Sequence, residues 1–84
     1  MKVTFAEAGW EDYQFWQQND AKTLAKINSL IKDCMRNPFQ GLGKPEPLKQ
    51  NWSGWWSRRI TDEHRLVYRI KDNALEIAQC RYHY

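Results

Sequence analysis

The stretch Asp20-Ala-Lys-Thr-Leu-Ala-Lys-Ile-Asn-Ser-Leu-Ile-Lys-Asp-Cys-Met35 decides the fold. Leu24, Ile27, Ile31, Cys34 and Met35 fall on one stripe, while Lys22, Lys26, Lys32 and Asp33 lie off it. That is the 3.6-residue period of a helix with one buried side. Asp20 is a good N-cap for it, and Asn37-Pro38 ends it. Upstream, Ala6 to about Gln18 reads as another helix. Its Trp10, Tyr13 and Trp16 recur every three residues and are read as core. Gly9 should weaken its start by up to ~1 kcal/mol relative to Ala. So short a break at Asn19-Asp20 makes the two helices an antiparallel hairpin. Val3-Thr4-Phe5 precedes them as a short strand.

Downstream the period changes. Phe39–Pro47 is a loop punctuated by Gly41, Gly43, Pro45 and Pro47. Four strands are expected after it: Leu48–Gln50, Trp55–Ile60, Arg65–Lys71 and Ala74–Tyr82. The turns between them are short, so neighbours run antiparallel. The expectation is an α+β fold, an N-terminal strand and a helix hairpin packed on an antiparallel β-sheet. Residues 1–84 suffice for one small domain. Five Trp, four Tyr and three Phe bury much area with few residues in so thin a core.

Charge is unevenly placed. Residues 1–43 carry five Lys/Arg and five acids, whereas residues 44–84 carry eight and five, so the whole net charge of +3 lies in the second half. A one-sided basic excess favours a polyanionic partner, the plainer reading being a solvated basic surface. Cys34 and Cys80 make neither a disulfide framework nor a metal site and are read as small core residues. No apolar stretch approaches ~18 residues and no signal peptide is seen, so no membrane partner is expected and the protein is read as cytoplasmic with reduced thiols.

Parity sorts the strand residues. With Leu48, Ile60, Leu66, Tyr68 and Ile70 facing the helices, Lys49, Arg59, Arg65 and Arg69 face the other way. Arg58 shares parity with Ile60 and would need a bulge or an edge position. A one-residue change at the Asp72-Asn73 turn would swap which set of the last strand pairs with Arg65, so that register stays open.

The sequence ends on Arg81-Tyr82-His83-Tyr84, a guanidinium, an imidazole and two phenols at the end of a strand. Such a cluster points to a site built there. Glu46, Lys49, Arg59, Arg65, His83 and Tyr84 form the candidate constellation, with Arg69 and Arg81 adding positive charge nearby. Metal-free cleavage of RNA asks for these groups. A base takes the ribose 2′-hydroxyl proton, cations stabilise the phosphate, and an acid protonates the departing 5′-oxygen. No metal-ligand spacing is present and no cofactor is expected. Each residue also has a plainer reading. Glu46 is then a solvated loop residue, Lys49 a charge guarding a sheet edge, and Arg59 and Arg65 surface partners of Asp62 or Glu63. Trp52, Trp55 and Trp56 are core or interface. His64 is read as a turn residue without a role.

Lys44-Pro-Glu-Pro-Leu-Lys49, Ser53-Gly-Trp-Trp-Ser-Arg-Arg-Ile60, His64-Arg-Leu-Val-Tyr68 and Cys80-Arg-Tyr-His-Tyr84 together resemble the YoeB family of toxins, within the RelE-like group of type II toxin–antitoxin systems. Trp10-Glu-Asp-Tyr13 and Ile27-Asn28 with Ile31-Lys-Asp33 extend the resemblance along the chain, and Phe5 departs from it where Trp is expected. The resemblance implies a microbial-ribonuclease-like fold and ribosome-dependent cleavage of messenger RNA in the A site. It implies Glu46 as general base, His83 as general acid and Arg65 on the phosphate, with Lys49, Arg59 and Tyr84 in support. It also implies a cognate antitoxin, operator DNA bound only through the toxin–antitoxin complex, and a possible homodimer. The competing expectations are a RelE-fold toxin without nuclease activity, of the gyrase-poisoning type, and a passive RNA-binding module. Either would dispense with Glu46 and His83.

Overall fold

The computed structural model describes all residues 1–84. Strand β1 (Lys2–Phe5) leads into α1 (Glu7–Asn19) and α2 (Ala21–Arg36). Short strand β2 (Glu46–Pro47) is followed by a 3-10 turn at Gln50–Trp52 and then by β3 (Trp56–Arg59), β4 (Arg65–Lys71) and β5 (Ala74–Gln79). The sheet order is β1-β5-β4-β3-β2. The expected antiparallel pairing holds from β2 to β5, and β1 adds a parallel edge beside β5.

The helix hairpin forms as its sequence requires. The Asp20 carboxylate accepts the Thr23 backbone N–H at 3.0 Å and the Thr23 hydroxyl at 2.8 Å, capping α2. The buried stripe of α2 is Ile27, Leu30 and Cys34, flanked by half-buried Leu24 and Ile31. Met35, expected on that stripe, is 37% exposed. On α1, Trp16 is buried but Trp10 is 45% exposed. At about 100° per residue, positions six apart point about 120° apart, so both rings cannot meet the sheet. Trp10 instead stacks on Tyr13 at 6.0 Å and meets Phe5 edge-on at 5.5 Å. Gly9 has a structural reason. A Cβ there would stand 2.5 Å from the Ile77 carbonyl oxygen, so α1 can lie on β5 only without one.

The core joins Trp16, Ile27, Leu30 and Cys34 to Ile60, Leu66, Tyr68, Leu75, Ile77 and Cys80. Burial pushes the Cys34 and Cys80 thiols up to about 11 and about 12, so both are inert packing groups.

Two strands depart from expectation by more than one residue at an end. Leu48–Gln50 is not a strand. The ladder starts earlier, at Glu46, and its last bond is Leu48 N–H to the Trp55 carbonyl at 2.9 Å. Gln50 then turns at φ 56°. Pro47 is tolerated because β2 is an edge strand. The last strand stops at Gln79 rather than Tyr82. Its register is set twice. Asp72 and Asn73 both have positive φ, making a two-residue hairpin turn that pairs Lys71 with Ala74. A bulge then shifts the pairing, so Tyr68 faces Ile77 while Val67 faces Gln79.

Candidate active site

Three segments meet at one end of the sheet. The first is the loop from Asn37 to Lys44, and Arg58 holds it. The Arg58 side chain is fully buried. Its Nη1 donates to Asp33 Oδ2 at 2.5 Å and to the Leu42 carbonyl at 3.2 Å. Its Nη2 donates to the carbonyls of Asn37 and Gln40 at 2.6 and 2.9 Å, and its Nε donates to the Tyr68 hydroxyl at 3.1 Å. The Tyr68 hydroxyl donates to the Pro38 carbonyl at 2.6 Å, and burial pushes it up to about 12. Asp33 also accepts the Leu42 N–H at 2.9 Å. That bond, then Arg58, holds its carboxyl below the ordinary range. Arg58 therefore needs neither bulge nor edge: it faces the helices with Ile60, as its parity says, and is satisfied by loop carbonyls. So fixed, the loop delivers Gly43, whose carbonyl accepts the Arg59 N–H at 2.7 Å. Gly43 has φ 77° and no room for a Cβ beside the Arg59 carbonyl at 2.9 Å. Glu46 follows, paired with Ser57.

The second segment is the β3–β4 hairpin. Arg59 and Arg65 are direct register partners. Neither forms an ion pair; the two salt bridges of the protein are Arg58–Asp33 and Arg69–Glu76. The surface pairing with Asp62 or Glu63 of the plainer reading is therefore absent. Arg65 Nη1 instead donates to the carbonyls of Thr61, Asp62 and His64 at 2.7, 3.2 and 3.0 Å. Its Nε and Nη2 have no protein acceptor.

The third segment is Cys80–Tyr84. Helix α1 grips Cys80 from both sides. The Asp12 carboxylate accepts its N–H at 3.0 Å, and the Trp16 indole donates to its carbonyl at 2.8 Å. Burial raises the Asp12 carboxyl above its ordinary value despite that bond. The Tyr82 carbonyl accepts the Arg65 N–H at 3.1 Å. The His83 ring lies against the Asp62 carbonyl, with Nε2 at 3.2 Å, and the Gln79 side chain donates to the His83 carbonyl at 3.3 Å.

Between these segments lies a small, strongly polar groove of about 100 Å³, lined by Gly43, Lys44, Glu46, Ser57, Arg59, Arg65, His83 and Tyr84. Five of the six residues singled out from sequence meet there: Glu46, Arg59, Arg65, His83 and Tyr84. Lys49 does not line it; it is exposed and leads into the 3-10 turn. Two further cations expected on this face are occupied elsewhere. Arg69 binds Glu76 at 2.7 Å and stacks on Trp55 at 4.3 Å. Arg81 stacks on Phe15 of α1 at 3.5 Å. Lys44 and Ser57 were not anticipated, although Ser57 shares the parity of Arg59. His64, read as idle, contacts Trp16 and Tyr82. Chemically, the side chains of the groove combine one carboxylate, one imidazole, a phenol and three cations. It suits an anionic substrate that must both lose and gain a proton.

The chain matches the YoeB-like toxin of bacterial type II toxin–antitoxin systems over residues 5–84. It is 61% identical to toxin YoeB of Escherichia coli across the full length of both chains. Its structure is similar to that of a YoeB/ParE toxin from Agrobacterium tumefaciens, with a TM-score of 0.97 at 55% identity and complete coverage of both chains. Two Staphylococcus aureus structures, a heterotetrameric YoeB–YefM toxin–antitoxin complex and a YoeB dimer, each match with a TM-score of 0.92 at 52% identity over 100% of this chain and 98% of theirs. On sequence and fold together, the chain belongs to the YoeB family of type II toxin–antitoxin toxins.

Proposed function

We propose that the protein is a ribosome-dependent endoribonuclease that cleaves messenger RNA in the A site, without a metal ion, and so stops translation. Glu46 takes the proton of a ribose 2′-hydroxyl. The 2′-oxygen attacks the adjacent phosphorus, and the P–O5′ bond breaks. His83 protonates the departing 5′-oxygen. The products carry a 2′,3′-cyclic phosphate and a 5′-hydroxyl. Arg65 and Arg59 stabilise charge on the phosphoryl oxygens, and Tyr84 donates to the same group. Lys49, outside the groove, contacts the flanking RNA backbone.

One observation carries this reading: two guanidinium groups, direct register partners without carboxylate partners, lie in a groove whose only side-chain carboxylate and only imidazole are Glu46 and His83. Like charges directly opposite on a sheet are destabilising unless a counter-charge joins them, and a phosphodiester supplies one. Membership of a toxin–antitoxin family supports a cognate antitoxin as partner, as in the S. aureus complex, and a homodimer, as in the S. aureus dimer. Operator DNA would be bound through that complex, in the cytoplasm.

The test is induced expression of wild type beside His83→Ala, with mapping of messenger-RNA ends. Wild type should produce new ends within translated codons and arrest growth, and His83→Ala should do neither. Equal cleavage by the variant would contradict the assignment.

A further inference from the structure

We infer that His64 is a positioning residue of the site, which latches Tyr82 and thereby sets where His83 and Tyr84 stand. The inference rests on the nuclease reading above for its catalytic half, and on geometry alone for the latch.

The segment needs a latch for a local reason. Strand β5 ends at Gln79, and beyond it β4 supplies the segment with a single backbone bond, from the Arg65 N–H. Tyr82 adopts φ 62°, a conformation unfavourable for a bulky L-residue, which persists only where its surroundings enforce it. Both backbone polar groups of Tyr82 are held, and by adjacent residues. Its carbonyl accepts the Arg65 N–H at 3.1 Å, and its N–H donates to His64 Nδ1 at 2.7 Å. The imidazole thus stands in for the missing strand partner. His83 and Tyr84, the next two residues, line the groove; His64 does not.

The ring is itself fixed. It meets the buried Trp16 indole edge-on, with centroids 4.9 Å apart at 81°, and lies 5.5 Å from the Tyr82 ring. The same indole donates to the Cys80 carbonyl at 2.8 Å. A single aromatic of α1 therefore supports two of the segment's anchors, at Cys80 and at Tyr82. The bond also fixes the tautomer. Nδ1 presents a lone pair to the Tyr82 N–H, so the neutral ring carries its proton on Nε2.

Two substitutions separate the latch from packing. His64→Phe keeps a ring against Trp16 but removes the acceptor. His64→Asn loses the ring but keeps an oxygen at nearly the position of Nδ1. Two quantities are read for each variant: hydrogen exchange of the Tyr82 amide by NMR, and kcat and KM of messenger cleavage on ribosomes. In His64→Phe, Tyr82 exchange should accelerate at least about tenfold, and kcat should fall toward about 10²-fold with KM little changed, as for a misplaced catalytic group. His64→Asn should retain most of both. An Asn variant impaired as deeply as Phe, a Phe variant with wild-type kcat, or Tyr82 exchange unchanged in Phe would each overturn the inference. If the wild type failed to cleave message at all, the nuclease reading would fall and the catalytic half of this one with it, whereas unchanged Tyr82 exchange beside intact wild-type cleavage would overturn the latch and leave the nuclease reading standing.

Discussion

Arg59 and Arg65 stand directly opposite one another on antiparallel neighbouring strands, and neither has a carboxylate partner. Under the proposed function, the arrangement sets local stability against the binding of an anion. Replacing Arg59 by Gln should raise stability in urea by ~0.2–0.5 kcal/mol, through relief of cross-strand repulsion. It should also lower the cleavage rate by about 10²-fold, through loss of a phosphate donor. Urea denaturation beside single-turnover cleavage checks both signs. A destabilised Arg59→Gln protein with full activity would assign Arg59 to structure instead.

The neighbouring Arg58 should behave in the opposite way. Its side chain is fully buried and ties Asp33, Tyr68 and three loop carbonyls together. Arg58→Met leaves those acceptors unpaired. Because Asp33 retains 22% side-chain exposure, the loss should sit at the lower end for a broken buried pair, about 3 kcal/mol. Arg58→Lys should recover little of it, since an ammonium cannot reach five acceptors in the plane of a guanidinium. Urea denaturation of Arg58→Met beside Arg59→Met checks the contrast between two adjacent arginines.

Two of the helix carboxylates, Asp33 and Asp12, should respond to acid with opposite signs. Asp33 is held low, first by the Leu42 N–H and then by Arg58. Its contribution is complete above the unfolded value of about 3.9 and is lost as pH falls through the folded value. Asp12 is raised by burial, so its ionisation costs stability and acid relieves that cost. Between about pH 6 and pH 2, Asp33→Asn should flatten the acid loss of stability, and Asp12→Asn should steepen it. Thermal melts across that range read both.

Much of the fold was legible because the signals were local. The periodicity of Leu24, Ile27 and Cys34 and the Asp20 cap define α2 without reference to anything distant. Trp10 misled because a spacing of three drifts around a helix, and only the packed structure says which ring reaches the sheet. The end of the last strand depended on a bulge beyond Ile77, which its sequence does not announce. Strand parity brought Arg59 and Arg65 to one face, and it also placed Arg58 inward. What it lacked was the loop carbonyls that make an inward guanidinium tolerable. His64 escaped notice because its partner is the backbone of Tyr82, eighteen residues away, and a backbone N–H leaves no mark in a sequence.

The proposed reaction is a 2′-hydroxyl attack driven by Glu46 and His83. It is tested most directly on ribosomes programmed with a message bearing one 2′-deoxynucleotide immediately 5′ to the scissile phosphate. The all-ribose message should be cut to a 2′,3′-cyclic phosphate and a 5′-hydroxyl, and Glu46→Gln and His83→Gln should each slow that cut by about 10²–10⁴-fold. The deoxy-substituted message should remain intact with wild-type protein. Cleavage of the deoxy message, or products bearing a 5′-phosphate, would contradict the account.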